Sequence, residues 1–512
     1  MNGAEAVTAA LADTGIDTVF MNPGTTEIGL VQAIANNPSI RGILTLFEGV
    51  ASGAADGFAR VAGYPAATLL HLGPGLANAT ANFHNARRAA SPVVSLVGEH
   101  ARAHLPFDPP LASDIAALAG IHSKSTETVA TSSQAYAATV RAFHAATSAP
   151  KGVATVVIPS DLADKPAQPD RSEPAKTSGL TPSSESLHRA AAALAARGAV
   201  IIAGGDALRR PAVSKLAALS SHGARILAET FPAAHDRGGE LPQISRLPYL
   251  PEQALALLQE ASEVILIGAR HPVSFFKYEG VPSLLTPPSC PVIELVPTGV
   301  PCLEAIEALA ELAGLDRGAP TAGSREALPE PGDSPLDATG LAVAVANAIQ
   351  AGTVFVDEAN TGGVALQGPT GSSPEHTWLT VPGGSIGEGI PLAAGAALAR
   401  PDHRVVALVA DGSSLYTIQG LWTIAREELP VTVVILNNLR YAILQFEAAR
   451  RHPMNDRVRS LTSLDPPRIS YRKLAEGFGV RAEVAMTPLE LLHHLKAAEA
   501  SAMPMLIEAQ LF

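Results

Sequence analysis

The 512-residue sequence predicts an α/β protein of three doubly wound domains, each a parallel sheet with helices on both faces. Short apolar runs without strict alternation are separated throughout by Ala-rich helical segments, the pattern of parallel strands buried on both faces. The length exceeds a single core, since one domain holds roughly 100–200 residues. Stretches rich in Pro, Ser and Thr at 165–186 and 317–335 are typical of connectors. We therefore expect domains at 1–165, 187–316 and 336–512.

Each domain has its own candidate strands. The first and last domains also resemble each other, because 53–75 and 391–413 each combine an Ala/Gly-rich helix, a buried strand and a glycine loop. This likeness is either that of any parallel α/β unit or a duplicated pair of domains that faces one ligand. The predicted strands are 18–20, 43–47, 66–72, 92–98 and 152–159, then 199–205, 263–269 and 291–297, then 352–358, 404–413 and 431–438.

Composition excludes several classes of protein. The formal charge of −12 argues against a nucleic-acid partner, because no basic surplus is available to replace counterions. Cys290 and Cys302 are the only cysteines, so the sequence has no disulfide framework and no cysteine-based metal site. The start of the chain lacks a basic n-region and an apolar h-region, and the apolar stretch 390–399 is too short to span a bilayer. We expect a soluble, cytoplasmic protein that has no membrane partner.

Polar residues stand at the ends of two successive strands of the last domain. Asp411 ends one apolar run and Asn438 ends the next. Ligands of open α/β sheets bind beyond the carboxyl ends of the strands, and one right-handed crossover brings these two ends together. Asp411 and Asn438 would then supply hard oxygen ligands for Mg²⁺ or Ca²⁺. Gly412, Ser413 and Ser414, at the start of the next helix, would approach phosphate oxygens. The combination predicts a metal-bridged diphosphate.

Each turn has a simpler interpretation when it is taken alone. Asp411-Gly412 is then a helix start, and Asn437-Asn438 is a strand end. Residues 415–429 between them carry apolar residues near helical spacing, so strand, helix and strand form one crossover. The joint occurrence at that spacing favours the functional interpretation.

The segment from Asp411 to Asn438 resembles the signature of thiamine-diphosphate-dependent enzymes, a GDG motif followed by paired asparagines at the end of the next strand. Ala410 stands here in place of the first glycine. The likeness covers essentially the whole chain, in the order pyrimidine-binding, middle and diphosphate-binding domains. The chain is identified as a member of this superfamily, of the acetolactate synthase large subunit or benzoylformate decarboxylase type. Membership implies thiamine diphosphate with Mg²⁺ or Ca²⁺ as cofactors.

The resemblance also implies roles for particular residues. Glu48, at the end of the second strand, would hydrogen-bond the aminopyrimidine of the cofactor and promote its activation. Without Asp411 and Asn438, the default interpretation of Glu48 would be a favourable charge in a first helical turn. The backbone carbonyl of Arg440 would be the third protein ligand of the metal.

Two further segments match the family. "DEANTGG" at 357–363 would bring Asn360 and Thr361 to the diphosphate. In "TVPGGSIGEGIPLAAG", the carbonyl of Gly384 and the amide of Ile386 would contact the aminopyrimidine. The Ile386 side chain would support the bent cofactor.

Residues on the substrate side match less completely. Thr25 in "NPGTTE" is the nearest match to the hydroxyl residue that binds the substrate carboxylate in benzoylformate decarboxylase. His71 stands where that family has a proton-relay histidine, although a histidine at a strand end is often structural. Phe276 replaces the second histidine of the decarboxylase, and His271 lies a few residues earlier. The adjacent histidine pair of pyruvate decarboxylases is missing.

Function follows from this resemblance. We expect a non-oxidative decarboxylase of a 2-oxo acid with carboligase capability, and the alternative is an acetolactate synthase-like carboligase. From a different class, the chain could be a non-catalytic cofactor-binding regulatory homologue. A nicotinamide-linked oxidoreductase lacks its glycine fingerprint, and FAD is not expected, since the middle domain offers only the glycine turn in 201–210. We expect a homo-oligomer, a dimer with shared active sites that pairs into a tetramer.

Overall fold

The structure, a computed structural model, describes residues 1–168, 181–315 and 326–512. In this part of the chain, strands separated by helices form three sheets of six, five and seven strands. The α/β class and the three parallel-sheet-rich units predicted from the sequence are confirmed.

The first sheet consists of six parallel strands in the order β2-β1-β3-β4-β6-β5. Its central strands are buried at every position, and apolar clusters cover both faces of the sheet. The strands are β1 (Thr18–Asn22), β2 (Arg41–Leu44), β3 (Ala66–Leu70), β4 (Val93–Glu99), β5 (Ser123–Thr128) and β6 (Val153–Pro159). The helices are α1 (Gly3–Asp13), α2 (Ile28–Asn36), α3 (Glu48–Ala62), α4 (Leu72–Ala89), α5 (Ile115–Gly120), α6 (Ala135–Thr147) and α7 (Ser160–Ala163).

The middle sheet has five parallel strands. A sixth strand of this segment pairs with a different sheet. The segment contains β7 (Ala199–Ala203), β8 (Arg225–Ala228), β9 (Ala234–Arg237), β10 (Ser245–Arg246), β11 (Glu263–Ile267) and β12 (Val292–Val296). The helices are α8 (Ser184–Ala195), α9 (Ala212–Leu216), α10 (Pro251–Leu258) and α11 (Leu303–Leu312). The strand order is β10-β8-β7-β11-β12, so β9 is not part of this sheet.

The third sheet has seven strands in the order β17-β18-β16-β15-β13-β14-β9. All its pairs are parallel except the one between β9 and β14 at its edge. Its own strands are β13 (Val354–Glu358), β14 (His376–Thr380), β15 (Val405–Ala410), β16 (Val431–Asn437), β17 (Arg481–Ala485) and β18 (Met505–Gln510). The helices are α12 (Ala338–Ala348), α13 (Gln367–Gly371), α14 (Gly389–Ala399), α15 (Asp411–Ser414), α16 (Gly420–Arg426), α17 (Ala442–Arg451), α18 (Asp456–Leu461), α19 (Tyr471–Gly477) and α20 (Pro488–Ser501).

The first and third units touch through the two helices whose sequences resemble each other. Helices α3 and α14 pack backbone against backbone, because a Cβ on Gly57 would lie 2.1 Å from the carbonyl oxygen of Leu392. A Cβ on Gly395 would lie 1.8 Å from the carbonyl oxygen of Ala54. Only glycine permits this approach, and the contact packs α14 directly on α3.

Several predicted element bounds need correction. The strand predicted at 43–47 is β2, which ends at Leu44, since Glu48 already begins α3. The strand predicted at 404–413 ends at Ala410, because Asp411 begins α15. The helical spacing predicted over 415–429 corresponds to α16, which covers only Gly420–Arg426.

The sequence interpretation missed seven strands, β5, β8, β9, β10, β14, β17 and β18. Among them, β5 reads SKSTET and β9 reads AHDR, so neither carries an apolar run. The domain bounds stay predictions, since much of both connectors lies outside the described residues. Strand β9 nevertheless lies inside the range predicted for the middle domain and extends the third sheet. Within the described residues, no helix combines the length and apolar character that crossing a membrane requires.

Candidate active site

The turn after β15 gathers backbone N–H groups around one buried carboxylate. Asp411 is 2% exposed, and its Oδ1 accepts the backbone N–H of Gly412 at 2.8 Å. Its Oδ2 accepts the backbone N–H groups of Asn438 at 3.0 Å and Leu439 at 2.8 Å. Strands β15 and β16 pair directly, so the ends of the two strands converge as the crossover argument predicts.

The same turn contains a carboxyl with a shifted pKa and a residue with an uncommon backbone conformation. Burial raises the pKa of the Asp411 carboxyl above its ordinary value, and the N–H groups that it accepts oppose that shift. Leu439 has φ +60°, a left-handed conformation that is uncommon for a side chain of this kind. The Asn438 side-chain oxygen accepts the N–H of Arg440 at 3.1 Å. These two of the three predicted metal ligands therefore lie in one turn. A nearby divalent cation would stabilise the charged carboxylate.

The predicted diphosphate residues meet at the ends of β13 and β15. The Asn360 amide donates to Ser413 Oγ at 2.9 Å, and Asn360 has φ +50°. The Ser414 hydroxyl instead donates to the carbonyl of Asp411 at 2.7 Å, which turns it toward its own helix. Thr361 lies beside Asn360 in a short 3₁₀ helix and is partly exposed. Gly412 permits the close approach of another residue, because a Cβ there would lie 2.3 Å from the Tyr441 ring.

A glycine loop at 381–388 connects β14 to α14 and rests on the first unit. The Asn85 amide donates to the carbonyl of Ser385 at 2.8 Å, and His84 Nε2 lies 3.2 Å from the carbonyl of Gly383. Gly384 is exposed with φ +71°, and Ile386 is partly exposed. The loop therefore carries both predicted aminopyrimidine contacts where α4 meets the third unit.

Glu48 lies at the carboxyl edge of the first sheet. It is the first residue of α3 and is 7% exposed. Its Oε2 accepts from the Asn78 amide at 2.9 Å, and its Oε1 lies 3.1 Å from the position that a Cβ on Gly75 would take. The carboxylate is thus buried, hydrogen-bonded and stabilised by the N-terminus of a helix.

His71 forms a pair with a carboxylate that the sequence analysis did not select. His71 Nδ1 lies 2.7 Å from Glu27 Oε2, and Glu27 is fully buried. The carboxylate also accepts the N–H of Gly24 at 2.8 Å and the hydroxyl of Thr26 at 2.6 Å. The contact fits an imidazole that donates Nδ1–H to an ionised Glu27 carboxylate and leaves Nε2 outside the pair.

The structure places Thr25 next to this pair without a role in it. Thr25 is exposed and begins the 3₁₀ helix Thr25–Glu27, whereas Thr26 Oγ1 lies 3.4 Å from His71 Nδ1. The carboxylate role predicted for Thr25 stays a prediction. Glu27 stands in the quoted motif "NPGTTE", and an acid three residues after a glycine could have signalled a helix-start acceptor.

Phe276 and His271 lie in different surroundings. Phe276 is 49% exposed and contacts Phe275 edge to face, with 5.0 Å between ring centroids. Phe275 lies beside the exposed Gly384, where a Cβ would lie 2.7 Å from its ring. His271 Nε2 lies 3.4 Å from Thr286 Oγ1, inside the middle unit. The aromatic residue at 276 thus belongs to a group of rings beside the glycine loop.

The residues present fit the cofactor that the resemblance implies. Asp411 offers a buried carboxylate, Asn438 a carboxamide oxygen and Arg440 a carbonyl, the hard donors that Mg²⁺ prefers. Gly412 and Gly384 lie against the rings of Tyr441 and Phe275, which a Cβ at either position would meet. Among the described residues, no three side chains of His, Cys, Asp or Glu form a metal-binding group. The predicted set contains only one carboxylate and depends on carbonyl oxygens for the rest.

Fold and site together define an α/β protein with polar residues gathered at the carboxyl edges of its first and third sheets. Residues 1–139 match the family described as "Thiamine pyrophosphate enzyme, N-terminal TPP binding domain". Residues 362–509 match "Thiamine pyrophosphate enzyme, C-terminal TPP binding domain".

Individual proteins agree with these matches. The "Putative acetolactate synthase large subunit IlvX" of Mycobacterium tuberculosis is 43% identical over 99% of this chain and 98% of its own length. Benzoylformate decarboxylase of Pseudomonas aeruginosa is 28% identical over 96% of each chain. The solved structure of a Rhodococcus jostii thiamine diphosphate-dependent 4-hydroxybenzoylformate decarboxylase shares the fold, with a TM-score of 0.86, 24% identity and coverage of 100% and 99% of the two chains.

The chain belongs to the thiamine pyrophosphate enzyme family. It is a thiamine-diphosphate-dependent enzyme of the decarboxylase or acetolactate synthase-like kind, as the sequence motifs predict.

Proposed function

We propose that the chain is a thiamine-diphosphate- and Mg²⁺-dependent non-oxidative decarboxylase of a 2-oxo acid, with carboligation as a side activity. The observation that carries this proposal is the His71–Glu27 pair, with 2.7 Å between His71 Nδ1 and Glu27 Oε2. A positioned imidazole beside the substrate favours protonation and release of an aldehyde over capture of a second carbonyl compound.

His71 is suited to move protons in both directions. Its side chain is 24% exposed, while that of Glu27 is fully buried, so the imidazole faces outward from a fixed support. Glu27 holds the ring orientation and keeps the proton on Nδ1. Nε2 of the protonated ring can deliver a proton to the reacting carbon, and the neutral ring that remains, with its proton on Nδ1, can take one at Nε2 from the product hydroxyl.

The third unit would hold the cofactor. Asp411, Asn438 and the Arg440 carbonyl would bind Mg²⁺, while Asn360 and Ser413 would contact the diphosphate. Thiamine diphosphate supplies, when bound, an electron sink for the pair left by departing carbon dioxide. The buried Glu48 carboxyl would hydrogen-bond the aminopyrimidine from the first unit.

The rings beside the glycine loop support a bulky or aromatic 2-oxo acid. Phe275 contacts Phe231 at 5.9 Å and Tyr249 at 5.6 Å between ring centroids, besides Phe276 at 5.0 Å. Phe275 also lies beside Gly384. Such a wall offers apolar area and edge-to-face contacts to an aryl side chain.

An acetolactate synthase-like carboligase is the second candidate. The 43% identical relative carries the name of an acetolactate synthase large subunit, and it spans nearly the whole chain. A carboligase of this kind would join two 2-oxo acid-derived units instead of releasing an aldehyde.

We also propose a cytoplasmic homodimer that pairs into a tetramer. Glu48 and Asp411 stand at the edges of different sheets, and the hydrogen bonds described for each come from its own unit. A dimer would combine Glu48 of one copy with the Asp411 turn of another. Sedimentation of a fully active monomer would contradict this arrangement.

One assay separates the candidates. The protein is incubated with thiamine diphosphate and Mg²⁺, without FAD, and with either benzoylformate or pyruvate, and products are identified by chromatography. We expect aldehyde from the aryl substrate in wild type and much less from His71→Ala. Acetolactate from pyruvate, with no aldehyde from any aryl substrate, would establish the carboligase instead. Absence of turnover with cofactor bound would favour the non-catalytic homologue.

A further inference from the structure

The end of the glycine loop is held by a buried carboxylate outside the predicted cofactor contacts. Glu358, the last residue of β13, is 3% exposed. Its Oε1 accepts the N–H of Gly387 at 2.5 Å and that of Glu388 at 3.4 Å, and its Oε2 accepts the N–H of Gly389 at 2.7 Å. These amides precede or begin α14, where backbone N–H groups lack intrahelical acceptors.

Glycine at two loop positions makes this contact sterically accessible. A Cβ on Gly389 would lie 2.7 Å from Glu358 Oε2, so a larger residue would push the carboxylate away. Gly387 has φ +91°, a conformation that other residues rarely adopt. Its carbonyl accepts from Thr417 Oγ1 at 2.8 Å and from the Asn82 amide at 3.3 Å. The Gly387 residue is therefore fixed through both its N–H and its carbonyl.

Glu358 also adjoins the predicted diphosphate turn. Asn360 follows it by two residues and donates to Ser413 Oγ. Glu358 thus connects the end of the glycine loop, which carries the predicted aminopyrimidine contacts, with the turn that would contact the diphosphate. Its burial is costly, because desolvation raises the pKa of the Glu358 carboxyl to about 7 while the loop amides oppose that shift.

We propose that Glu358 is a positioning residue, whose carboxylate fixes the 387–389 amides at the end of the glycine loop and thereby sets the positions from which Gly384 and Ile386 contact the cofactor. The inference rests on the cofactor site proposed above. Without the carboxylate, three amides lose their acceptor and the glycines regain conformational freedom. The loop would then have to be ordered by the cofactor itself, which lowers affinity.

Glu358→Gln is the informative variant, because it keeps the shape and removes acceptor capacity. One position of the carboxamide is then an NH₂ group, which meets a backbone N–H instead of accepting from it. Asp357→Asn is the matched control on the same strand. Asp357 lies 3.3 Å from Arg246 Nη1 and 3.0 Å from Trp378 Nε1, and its described hydrogen bonds do not include the loop.

Hydrogen–deuterium exchange of the full-length, cofactor-free chain tests the contact directly. In Glu358→Gln we expect exchange of the 387–389 amides to accelerate by about tenfold or more, because at least one charge-assisted hydrogen bond is lost. Exchange of β16 should remain unchanged, and Asp357→Asn should leave the loop as protected as wild type. Equal exchange of the loop in Glu358→Gln and wild type would overturn the proposal, as would a uniform increase that Asp357→Asn reproduces.

Calorimetric titration with thiamine diphosphate and Mg²⁺ tests the consequence. We expect Glu358→Gln to bind the cofactor about tenfold more weakly, since a loosened loop must be ordered on binding. Asp411→Ala distinguishes failure of this inference from failure of the site. Wild-type affinity in Asp411→Ala would refute the cofactor site itself. Weakened binding in Asp411→Ala together with wild-type affinity in Glu358→Gln would overturn only the positioning role.

Discussion

The carboxyl edges of the first and third sheets use different kinds of partner for their acidic groups. At the first edge, acids contact mainly side chains, since His71 and Thr26 contact Glu27 and Asn78 donates to Glu48, with one backbone N–H, that of Gly24, on Glu27. At the third edge, acids accept mainly backbone N–H groups, as Asp411 accepts from three residues of its own and the adjacent turn.

This difference separates two tasks. A backbone amide is held by the fold and cannot change its protonation, so it suits the constant site for a metal and a diphosphate that we propose at this edge. A side-chain pair such as His71 and Glu27 can gain, lose and orient a proton, which chemistry at the substrate requires. We therefore expect variants at the first edge to alter turnover, and variants at the third edge to alter cofactor affinity.

Glu48→Gln should give the largest effect. We expect turnover to fall by about a thousandfold, within the range of general acid–base catalysis, because the amide cannot share a proton with the aminopyrimidine. Cofactor affinity, measured by calorimetry, should change by less than about threefold, since Asp411 and its turn are untouched. Turnover close to wild type would refute the activating role, and a large loss of affinity would erase the contrast between the edges.

Asp411→Ala should show the opposite behaviour. We expect cofactor affinity at limiting Mg²⁺ to fall by about a hundredfold, because the cation loses its only charged protein ligand. Turnover at saturating cofactor and Mg²⁺ should recover much of the wild-type value. Ser414→Ala is a useful control, since its hydroxyl donates to the Asp411 carbonyl and faces its own helix. An Asp411→Ala titration identical to wild type would contradict the assignment.

Glu27→Gln should have a moderate effect that is confined to the first edge. Removing the charge releases the ring of His71 from its fixed orientation, and we expect kcat to fall by about tenfold. Cofactor affinity and KM should stay near their wild-type values, because Glu27 is supporting His71 and not binding substrate. Steady-state kinetics of Glu27→Gln would check this, with Thr25→Ser, outside the His71–Glu27 pair, as the control variant. A rise in KM alone would assign Glu27 to substrate binding.

The smallest expected effect is a pH dependence at the third edge. Since burial raises the pKa of Glu358 to about 7, its carboxylate accepts the loop amides above that pH and is protonated below it. Cofactor affinity should therefore rise severalfold between pH 6 and 8, because Glu358 loses its proton in this range. The charged and titratable groups that act on it are Asp357 on β13 and Glu388 in the loop, and Glu388 in turn faces Arg60 and Asp56 on α3.

The stability of the cofactor-free chain should respond with the opposite sign. A carboxyl whose pKa is raised in the folded state contributes stability below its unfolded value near 4.5, and this contribution is lost as pH rises toward about 7. The difference between wild type and Glu358→Gln isolates the group in both titrations. Parallel pH profiles of the two proteins would show that Glu358 does not titrate in this range.

Sequence motifs anticipated the parts of the site that lie at the ends of apolar strands. Asp411 and Asn438 could be paired because β15 and β16 are adjacent in both sequence and sheet, joined by one crossover. Glu48 followed from its place after a strand and from the family resemblance. The cofactor class followed from the same motifs, and the family matches confirm it. Roles of individual residues, including Mg²⁺ binding, stay predictions.

The sequence by itself determined the α/β class and the strand-end motifs, because apolar runs and turn residues are local properties of the chain. Tertiary structure alone decided that Glu27 supports His71 across 44 positions and that Glu358 reaches the amides at 387–389. It also decided that polar β9, which has no apolar run, adds an edge to a sheet whose other strands begin more than a hundred residues later. Such contacts depend on which loops meet when the sheets pack, and no local pattern in the chain records that meeting.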